Sequence, residues 1–253
     1  MPYSFSLSLA AVDLLLEQLS LGRAPVPFVV PHVGTTTEQR LQVREAVHRD
    51  LDGRGLIRRG RLDDDVELAL ATFARSDLAV TAAAKLDGEQ LFARVATNGA
   101  YAVLVKRDGN LLVFEETRPT GIVPAIVDLL PLTPAAPGQS VTIARPVKQA
   151  RRSSEGYNPF AGVEAPRAHN PQLRAVERIF EKPRTSVGEF TVHVRGGNGR
   201  ESTLPPLAWF DTEAGRYLLS TRDANDGQRW LTYAPADNAR LAQQLYTQLE
   251  GYS

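Results

Sequence analysis

Three dipeptides, spaced about ten residues apart, constrain the fold of this chain more than any other feature. Asp87-Gly88, Asn98-Gly99 and Asp108-Gly109 each supply residues that tolerate positive φ, which tight β-hairpin turns require. The runs between these dipeptides are largely apolar and long enough to form strands. The pattern therefore predicts an antiparallel meander of four strands, at 77–86, 89–97, 101–106 and 110–116.

The C-terminal part of the chain repeats this organisation. Glycine-containing links separate predicted strands at 188–194, 207–211, 217–221 and 229–233. Apolar residues at helical spacing predict helices at 11–21, 38–52, 65–74 and 122–130, a helix around 173–180, and a C-terminal helix. Thr35 and Glu38 have the spacing of a capping box. Pro235 is expected at the first position of the last helix, with Asp237 at the third.

Both parts of the chain thus follow one plan, in which helices flank four strands. We predict an α+β fold, built as a quasi-two-fold pair of helix–four-strand–helix halves that share a largely antiparallel sheet flanked by helices. A single domain would span residues 1–253. Its pseudo-repeat halves would be 1–133 and 171–253, joined by a Pro/Gly-rich basic connector at 134–170, in which 141–144 could add a short strand.

The charge balance argues against a protein held on nucleic acid by phosphate neutralisation. The 253 residues include 29 Lys and Arg against 29 Asp and Glu, so the formal net charge is zero. This balance is an average over unlike segments, because residues 134–185 contain 9 basic and 4 acidic side chains. The excess of five positive charges there is typical of a solvated loop, and a basic segment that binds a partner is the alternative.

Residue patterns that would carry catalysis or bind a cofactor are missing from the sequence. There is no Cys, which excludes thiol nucleophiles and Cys-ligated metals. His32, His48, His169 and His193 do not have metal-ligand spacing, and His193 is expected on the solvated face of its strand. The acidic run 63–65 fits a helix N-terminus, and the glycines of 196–199 fit a hairpin. We therefore predict no catalytic residue, no cofactor, no metal and no enzymatic activity.

One DNA-binding alternative remains open at this point. The helices at 38–52 and 65–74, with the hairpin after them, resemble a winged helix, in which Arg54, Arg58, Arg59 and Arg61 would face DNA. The run of three aspartates that begins the second helix is a poor surface to offer phosphates. A winged-helix regulator is therefore the second hypothesis.

No membrane insertion and no signal peptide are expected. The sequence has no run of about 18 apolar residues, which a transmembrane helix needs. The first ten residues contain no basic side chain, so the N-terminus does not have the pattern of a signal peptide. These features, with the absence of Cys, predict a cytoplasmic protein.

A family resemblance extends over most of the chain. Most of the segments that carry it are predicted strands and helix ends in the C-terminal half: 187–192, Leu207-Ala208-Trp209-Phe210-Asp211, 215–218, Trp230-Leu231-Thr232, Pro235-Ala236-Asp237, and Leu241, Leu245 and Leu249 of the last helix. Residues 5–15 and 27–31 near the N-terminus fit the same family. These segments resemble the EspG family, chaperones associated with ESX (type VII) secretion in actinobacteria. The resemblance implies a chaperone that binds the apolar helical tip of a PE–PPE-like or WXG100-like heterodimer and keeps it soluble for export. It also implies that the central sheet, a loop between early strands and the C-terminal helical part contact the partner.

A candidate partner-binding surface follows from that resemblance. We place it at Thr97, Asn98, Tyr101, Tyr233, Leu245 and Tyr246, together with the turn residues Gly99 and Ala100. Each of the tyrosines, and Leu245, could instead be an ordinary core residue. Trp209 and Trp230 are expected to anchor the core between the sheet and its helices. An exposed edge strand could also support a homodimer.

Overall fold

The computed structural model describes residues 3–146, 171–196, 199–223 and 228–251. Within these ranges the helices are α1 (Leu9–Gln18), α2 (Thr37–Gly53), α3 (Asp64–Ala74), α4 (Ile122–Val127), α5 (Pro171–Glu181) and α6 (Asn238–Glu250). The strands are β1 (Ser4–Ser8), β2 (Ile57–Arg58), β3 (Arg61–Leu62), β4 (Leu78–Leu86), β5 (Glu89–Thr97), β6 (Ala102–Asp108), β7 (Leu111–Thr117), β8 (Val141–Pro146), β9 (Arg184–Arg195), β10 (Glu201–Thr203), β11 (Leu207–Thr212), β12 (Gly215–Asp223) and β13 (Gln228–Pro235).

All these strands except β2 and β3 belong to one sheet. Its order is β1-β7-β6-β5-β4-β9-β11-β12-β13-β8, and β10 pairs with β9 beside β11. From the middle outward, β4 to β7 form one meander with β1 at its edge, and β9, β11, β12 and β13 form another with β8 at its edge. Helices α3 and α4 precede and follow the first meander, and α5 and α6 precede and follow the second. The predicted fold class is confirmed.

By contact density the chain forms two compact units. Unit 1 contains Met1–Ala82, Leu91–Ile126 and Val192–Thr203, and unit 2 contains Ala83–Gln90, Val127–Thr191 and Leu204–Ser253. Strands β4, β5 and β9 therefore contribute residues to both units. The division into halves at 133 and 171 stays a prediction. Part of the predicted connector, 147–170, lies outside the described residues, whereas the short strand expected in its first part is observed as β8.

Unit 1 contains a core that the N-terminal strand and α1 help to form. β1 pairs antiparallel with β7, and its Phe5 and Leu7 are buried, whereas Ser4 is exposed and Ser6 and Ser8 are half-buried. The ring of Phe5 stacks on Phe114 of β7 at a centroid distance of 4.9 Å. Ser8 ends the strand and caps α1, because its hydroxyl accepts a hydrogen bond from the Ala11 N–H. β1 was not predicted, and α1 begins two residues earlier than the predicted start at Ala11.

Helices α2 and α3 of unit 1 are joined by the short β2–β3 hairpin. The cap of α2 lies one residue from the predicted pair: Thr36 Oγ1 accepts from the Gln39 N–H at 3.2 Å, and Gln39 Oε1 accepts from the Thr36 N–H at 3.3 Å. Gln39 replaces Glu38 because its amide oxygen reaches the N–H groups of both threonines that precede the helix. Asp63 caps α3 as the acidic run suggested.

The sheet of unit 2 buries one face under α5. Val176, Ile179 and Phe180 of α5 join a cluster with Phe210 of β11 and Tyr233 of β13. Phe180 meets the Tyr233 ring edge to face at 5.4 Å and stacks on Phe210 at 5.9 Å. Because side chains alternate along a strand, the neighbours of these core residues must point to the opposite face of the sheet. That opposite face holds the candidate site.

Candidate partner-binding surfaces

Two cross-strand rows of side chains lie on the face of the unit 2 sheet opposite α5. The antiparallel registers align Arg222 of β12 with Trp230 of β13 and Ala144 of β8. The next row on the same face aligns Ser220, Thr232 and Thr142. We call these six residues the open strand face. They share a face because Leu231 and Tyr233, which alternate with Trp230 and Thr232, are buried in the cluster under α5.

The open strand face is accessible and combines apolar and polar groups. Trp230 is 39% exposed, and Arg222 and Ala144 are exposed beside it. The three hydroxyl residues of the second row are half-buried, and the Oγ1 atoms of Thr142 and Thr232 lie 3.0 Å apart in a hydrogen bond. A large aromatic ring between a guanidinium and hydroxyls can provide apolar area together with a polar rim, which is the composition of protein interfaces.

Further along this face, the buried Arg216 joins β12 to β11 and to residues outside the sheet through hydrogen bonds. Arg216 of β12 is fully buried and donates two hydrogen bonds to Asp211 of β11, from Nε at 2.6 Å and from Nη2 at 2.9 Å. Its guanidinium also lies 4.8 Å from the centre of the buried Trp209 ring. The Pro131 carbonyl, the Thr133 hydroxyl and the Asn238 side chain accept its other hydrogen bonds. The charge is therefore paired and fully bonded, as a buried cation requires.

The contact between Arg216 and Asn238 fixes the beginning of α6. Asp237 is the N-cap, and its Oδ1 accepts from the Arg240 N–H at 2.8 Å. Near the other end of the helix, Gln248 Nε2 donates to the Pro205 carbonyl, which precedes β11, at 3.1 Å. The two ends of α6 are therefore held by Arg216 of β12 and by the residue Pro205, whereas Arg222, Trp230 and Ala144 of the open strand face are exposed in the described part of the chain.

The C-terminal residues predicted to bind a partner fall into two groups. Tyr233 and Leu245 are fully buried, so neither side chain is accessible to a partner in this conformation. Tyr246 is 42% exposed on α6. Trp209 is buried as expected. The prediction that Trp230 anchors the core is wrong. Side chains alternate along β13, so Trp230 points to the sheet face that is opposite the buried face of Leu231 and Tyr233. The same alternation, applied to the sequence, could have identified Trp230 as a surface residue.

The other predicted residues form a tight loop between β5 and β6 in unit 1. Thr97 is buried, and its hydroxyl donates to the Tyr101 carbonyl at 2.8 Å and accepts from the Gly99 N–H at 3.0 Å. The Asn98 side-chain oxygen accepts from the N–H groups of Ala100 and Tyr101. Asn98, Gly99 and Ala100 are exposed, and Gly99 has a φ of 87°. Thr97 and Asn98 thus shape the loop through their side chains.

Tyr101 ends this loop and is held against the core of unit 1. Burial, followed by the negative charges of Glu116 and Asp65, raises the pKa of its hydroxyl to about 12. The hydroxyl is therefore a neutral hydrogen-bond donor at any physiological pH. The ring is half-buried and ordered, so it could contact a partner at a small cost in side-chain entropy.

The arginines of the winged-helix hypothesis are partly engaged within unit 1. Arg54 Nη2 donates to the Ser6 carbonyl at 2.6 Å, and Arg54 also pairs with Asp50. Arg58 lies 3.4 Å from the carboxylate of Asp63. These contacts stabilise the junction of α2, the β2–β3 hairpin and α3, and no observation favours DNA binding.

His193, which was expected on a solvated face, is buried in unit 1. Its ring nitrogens lie 3.1 Å from Glu201 Oε1 and 3.3 Å from Thr81 Oγ1. The expectation fails because β10 pairs with this part of β9 and its Glu201 side chain reaches the His193 ring. Among the described residues, no three His, Asp or Glu side chains are grouped so that they could hold a metal ion. No helix in the described ranges is long and apolar enough to cross a membrane.

Comparison with known proteins gives one family and a similar solved structure. The model of the EspG family matches residues 8–247. The Mycobacterium tuberculosis type VII secretion system chaperone EspG5, solved in complex with the PE25–PPE41 dimer, superposes with a TM-score of 0.64 over 95% of this chain and 93% of that chain, at 15% sequence identity. No curated protein sequence is significantly similar to this one.

Proposed function

Because the chain belongs to the EspG family, we propose that it is a chaperone for PE–PPE-like substrates of a type VII secretion system. It binds an apolar helical tip of the substrate pair, keeps the pair soluble in the cytoplasm and directs it to export. The similar fold of EspG5, which was solved bound to a PE–PPE dimer, supports this proposal. The role needs shape and apolar contact and no chemical step, so we propose that the protein is not an enzyme.

The open strand face is the surface that we propose for the substrate. It lies in the same unit as α6, which carries the exposed Tyr246. An apolar helix that settles beside α6 would bury the Trp230 ring and keep Arg222, Thr232 and Ser220 at its polar rim. Aromatic residues and arginine at such positions supply most of the binding energy in protein interfaces. Exposure of Trp230 on an otherwise well-packed sheet is the observation that carries this assignment.

The loop between β5 and β6 is a second proposed contact, within unit 1. Its exposed residues 98–100 are held by hydrogen bonds from Thr97 and Asn98, so the loop is ordered before any partner binds. Tyr101 provides an ordered aromatic ring beside it. Preorganisation lowers the entropic cost of association. Of the residues predicted from the sequence, the proposal therefore keeps Asn98, Tyr101 and Tyr246 as contacts.

Co-expression with PE–PPE-like or WXG100-like pairs of the same genome, followed by affinity purification, tests this function. We expect the wild-type chain to retain one such pair and the Trp230→Asp variant to lose it. Leu132→Asp is the matched control, because Leu132 is 91% exposed in unit 2 but lies outside the open strand face. Retention of the pair by Trp230→Asp at the wild-type level would contradict the proposed surface.

A further inference from the structure

A well-anchored segment of unit 1 that forms neither helix nor strand carries unused binding capacity. Residues 22–33 connect α1 to the loop before α2. Phe28 is buried and meets the Phe73 ring at 5.6 Å, which fixes the middle of the segment. The Val33 N–H donates to Asp13 of α1 at 3.0 Å, and Arg40 of α2 donates to the Val33 carbonyl at 2.7 Å. The segment is therefore held at two points.

Between and beside these anchors, apolar side chains and backbone groups face outward. Val29 is 74% exposed and Val26 is 58% exposed, which is unusual for two valines on one ordered segment. Within the described part of the chain, the backbone N–H and C=O groups of Val29 and Val30 make no hydrogen bond to other protein groups. Consecutive residues with free backbone groups can bind an extended chain through main-chain hydrogen bonds.

A pocket of about 790 Å³ lies beside this segment, against α1. Its apolar wall is formed by Leu16, Phe28 and Val30, of which the first two are buried in the core. The exposed Val29 stands at its rim. The pocket is large enough to admit an aliphatic side chain from a peptide that lies along Val29 and Val30.

The charges around the pocket favour an acidic ligand. The carboxylates of Asp13 and Glu17 are already paired with Arg40, and Glu17 also lies 3.4 Å from Arg44. Burial opposes ionisation of Asp13, but the hydrogen bonds from Val33 and Arg40 outweigh it and hold its pKa below the usual value. Arg23, exposed at the pocket, makes no salt bridge with any described residue. The Arg23 guanidinium is therefore available to a ligand, because the carboxylates of Asp13 and Glu17 are already paired.

We propose that α1 and residues 22–33 form a second docking groove, which binds an extended acidic segment of the same secretion substrate. The segment pairs its backbone with Val29 and Val30, inserts one aliphatic side chain beside Leu16 and Phe28, and places a carboxylate on Arg23. The source of the segment rests on the proposed function. The groove differs from the open strand face, because it recognises an extended chain rather than a helical tip.

Hydrogen exchange on the purified complex with a PE–PPE-like pair tests the groove directly. The Val29 and Val30 amides have no hydrogen bond in the free chain, so we expect fast exchange alone and slow exchange in the complex. Val29→Asp and Arg23→Glu should each weaken binding about tenfold, as the loss of an apolar anchor or a charge pair at an interface does. Leu68→Asp, on the 40% exposed Leu68 of α3, is the control that should leave affinity unchanged.

The outcomes separate this proposal from the function on which it rests. If the wild-type chain binds a pair but residues 22–33 gain no protection and Val29→Asp and Arg23→Glu bind normally, the groove is wrong and the chaperone function stands. If the wild-type chain binds no pair, both proposals fail. Equal weakening by Leu68→Asp would show a general loss of folded protein, and would also overturn the groove.

Discussion

At the scale of single residues, a buried cluster in unit 1 makes the stability of the chain depend on pH. Arg94 is 1% exposed, and burial lowers its pKa to about 10. His193 is buried nearby, between Thr81 and Glu201. Burial and then the charge of Arg94 lower the pKa of His193, and Glu201 acts in the opposite direction with the smaller effect. The fold therefore prefers the neutral imidazole.

The sign of the pH effect follows from this lowered pKa. The unfolded chain, in which His193 has the ordinary value of 6.5, takes up the proton more readily than the folded chain. The free energy of unfolding is therefore not reduced by His193 above about pH 6.5. It falls as the pH decreases from 6.5 to the lower pKa that His193 has in the folded chain. We expect wild-type protein to lose more unfolding free energy than His193→Gln between about pH 7.5 and 5.5, measured by urea denaturation. His48→Gln, on α2, is the control, and an equal loss in wild type and His193→Gln would refute the prediction.

A glycine in unit 2 allows two elements to approach closely. A Cβ atom added to Gly188 of β9 would lie 2.6 Å from Ala84 Cβ and 2.7 Å from Cζ2 of the Trp209 ring. Gly188→Ala should therefore destabilise the protein by about 1–3 kcal/mol, as overpacking of a core does. Gly53→Ala, at a position with no atom within 4 Å, should be close to neutral. Thermal unfolding of the two variants makes the comparison, and equal midpoints would contradict the close approach.

The predicted side-chain environments were only partly right: local alternation would have placed Trp230 correctly on the surface, whereas distant strands decide the environment of His193. Trp209 was correctly placed in the core. His193 was misplaced because the neighbouring strand β10, whose Glu201 reaches the His193 ring, is only three residues long and was not predicted. The pairing of Arg216 with Asp211 could not be predicted, because both residues flank a turn that looks solvent-exposed in the sequence. Its burial depends on Pro131 and Asn238, which are far away along the chain.

At the scale of elements, helix ends are set by side-chain acceptors that a one-residue shift can change. The last helix begins at Asn238 with Asp237 as its cap, whereas the sequence suggested that Pro235 is its first residue. Pro235 instead ends β13, where it pairs with Tyr217. Ala234, which would be the N-cap of a helix that begins at Pro235, lies within β13.

The new cap assignment predicts a clear difference between two substitutions. Asp237→Ala removes the acceptor for the Arg240 N–H and should cost about 1 kcal/mol of unfolding free energy. Ala234→Ser should give no gain, because that residue lies three positions before the N-cap of α6. Chemical denaturation of both variants measures the effect. A stabilising Ala234→Ser together with a neutral Asp237→Ala would restore the earlier assignment.

The edge strand β1 was not predicted, although the opposite edge strand β8 was. β1 has a simple alternation of Ser with Phe5 and Leu7, but five residues pair with a strand more than 100 positions later. Such pairing depends on loop closure and not on local propensity. The hairpins between β4 and β7, by contrast, were predicted because their Asp-Gly and Asn-Gly turns specify the pairing locally.

At the scale of the whole molecule, the sequence predicted two meanders flanked by helices, and the strand order confirms them. The neighbouring positions of β4 and β9, and the addition of β8 to β13, are long-range pairings that no local signal encodes. The candidate site depends on the same pairings. Trp230 becomes part of a surface only because β12 and β8 align Arg222 and Ala144 beside it.

The most direct test of the account is the mass of the complex. The chain is co-expressed with PE–PPE-like pairs, and size-exclusion chromatography with light scattering measures the mass of the purified species. We predict a stable complex whose mass exceeds that of the substrate pair by the 27.7 kDa of one chain, and its loss in Trp230→Asp. Elution of the chain apart from every pair, at its own mass or that of a homodimer, would contradict the chaperone function.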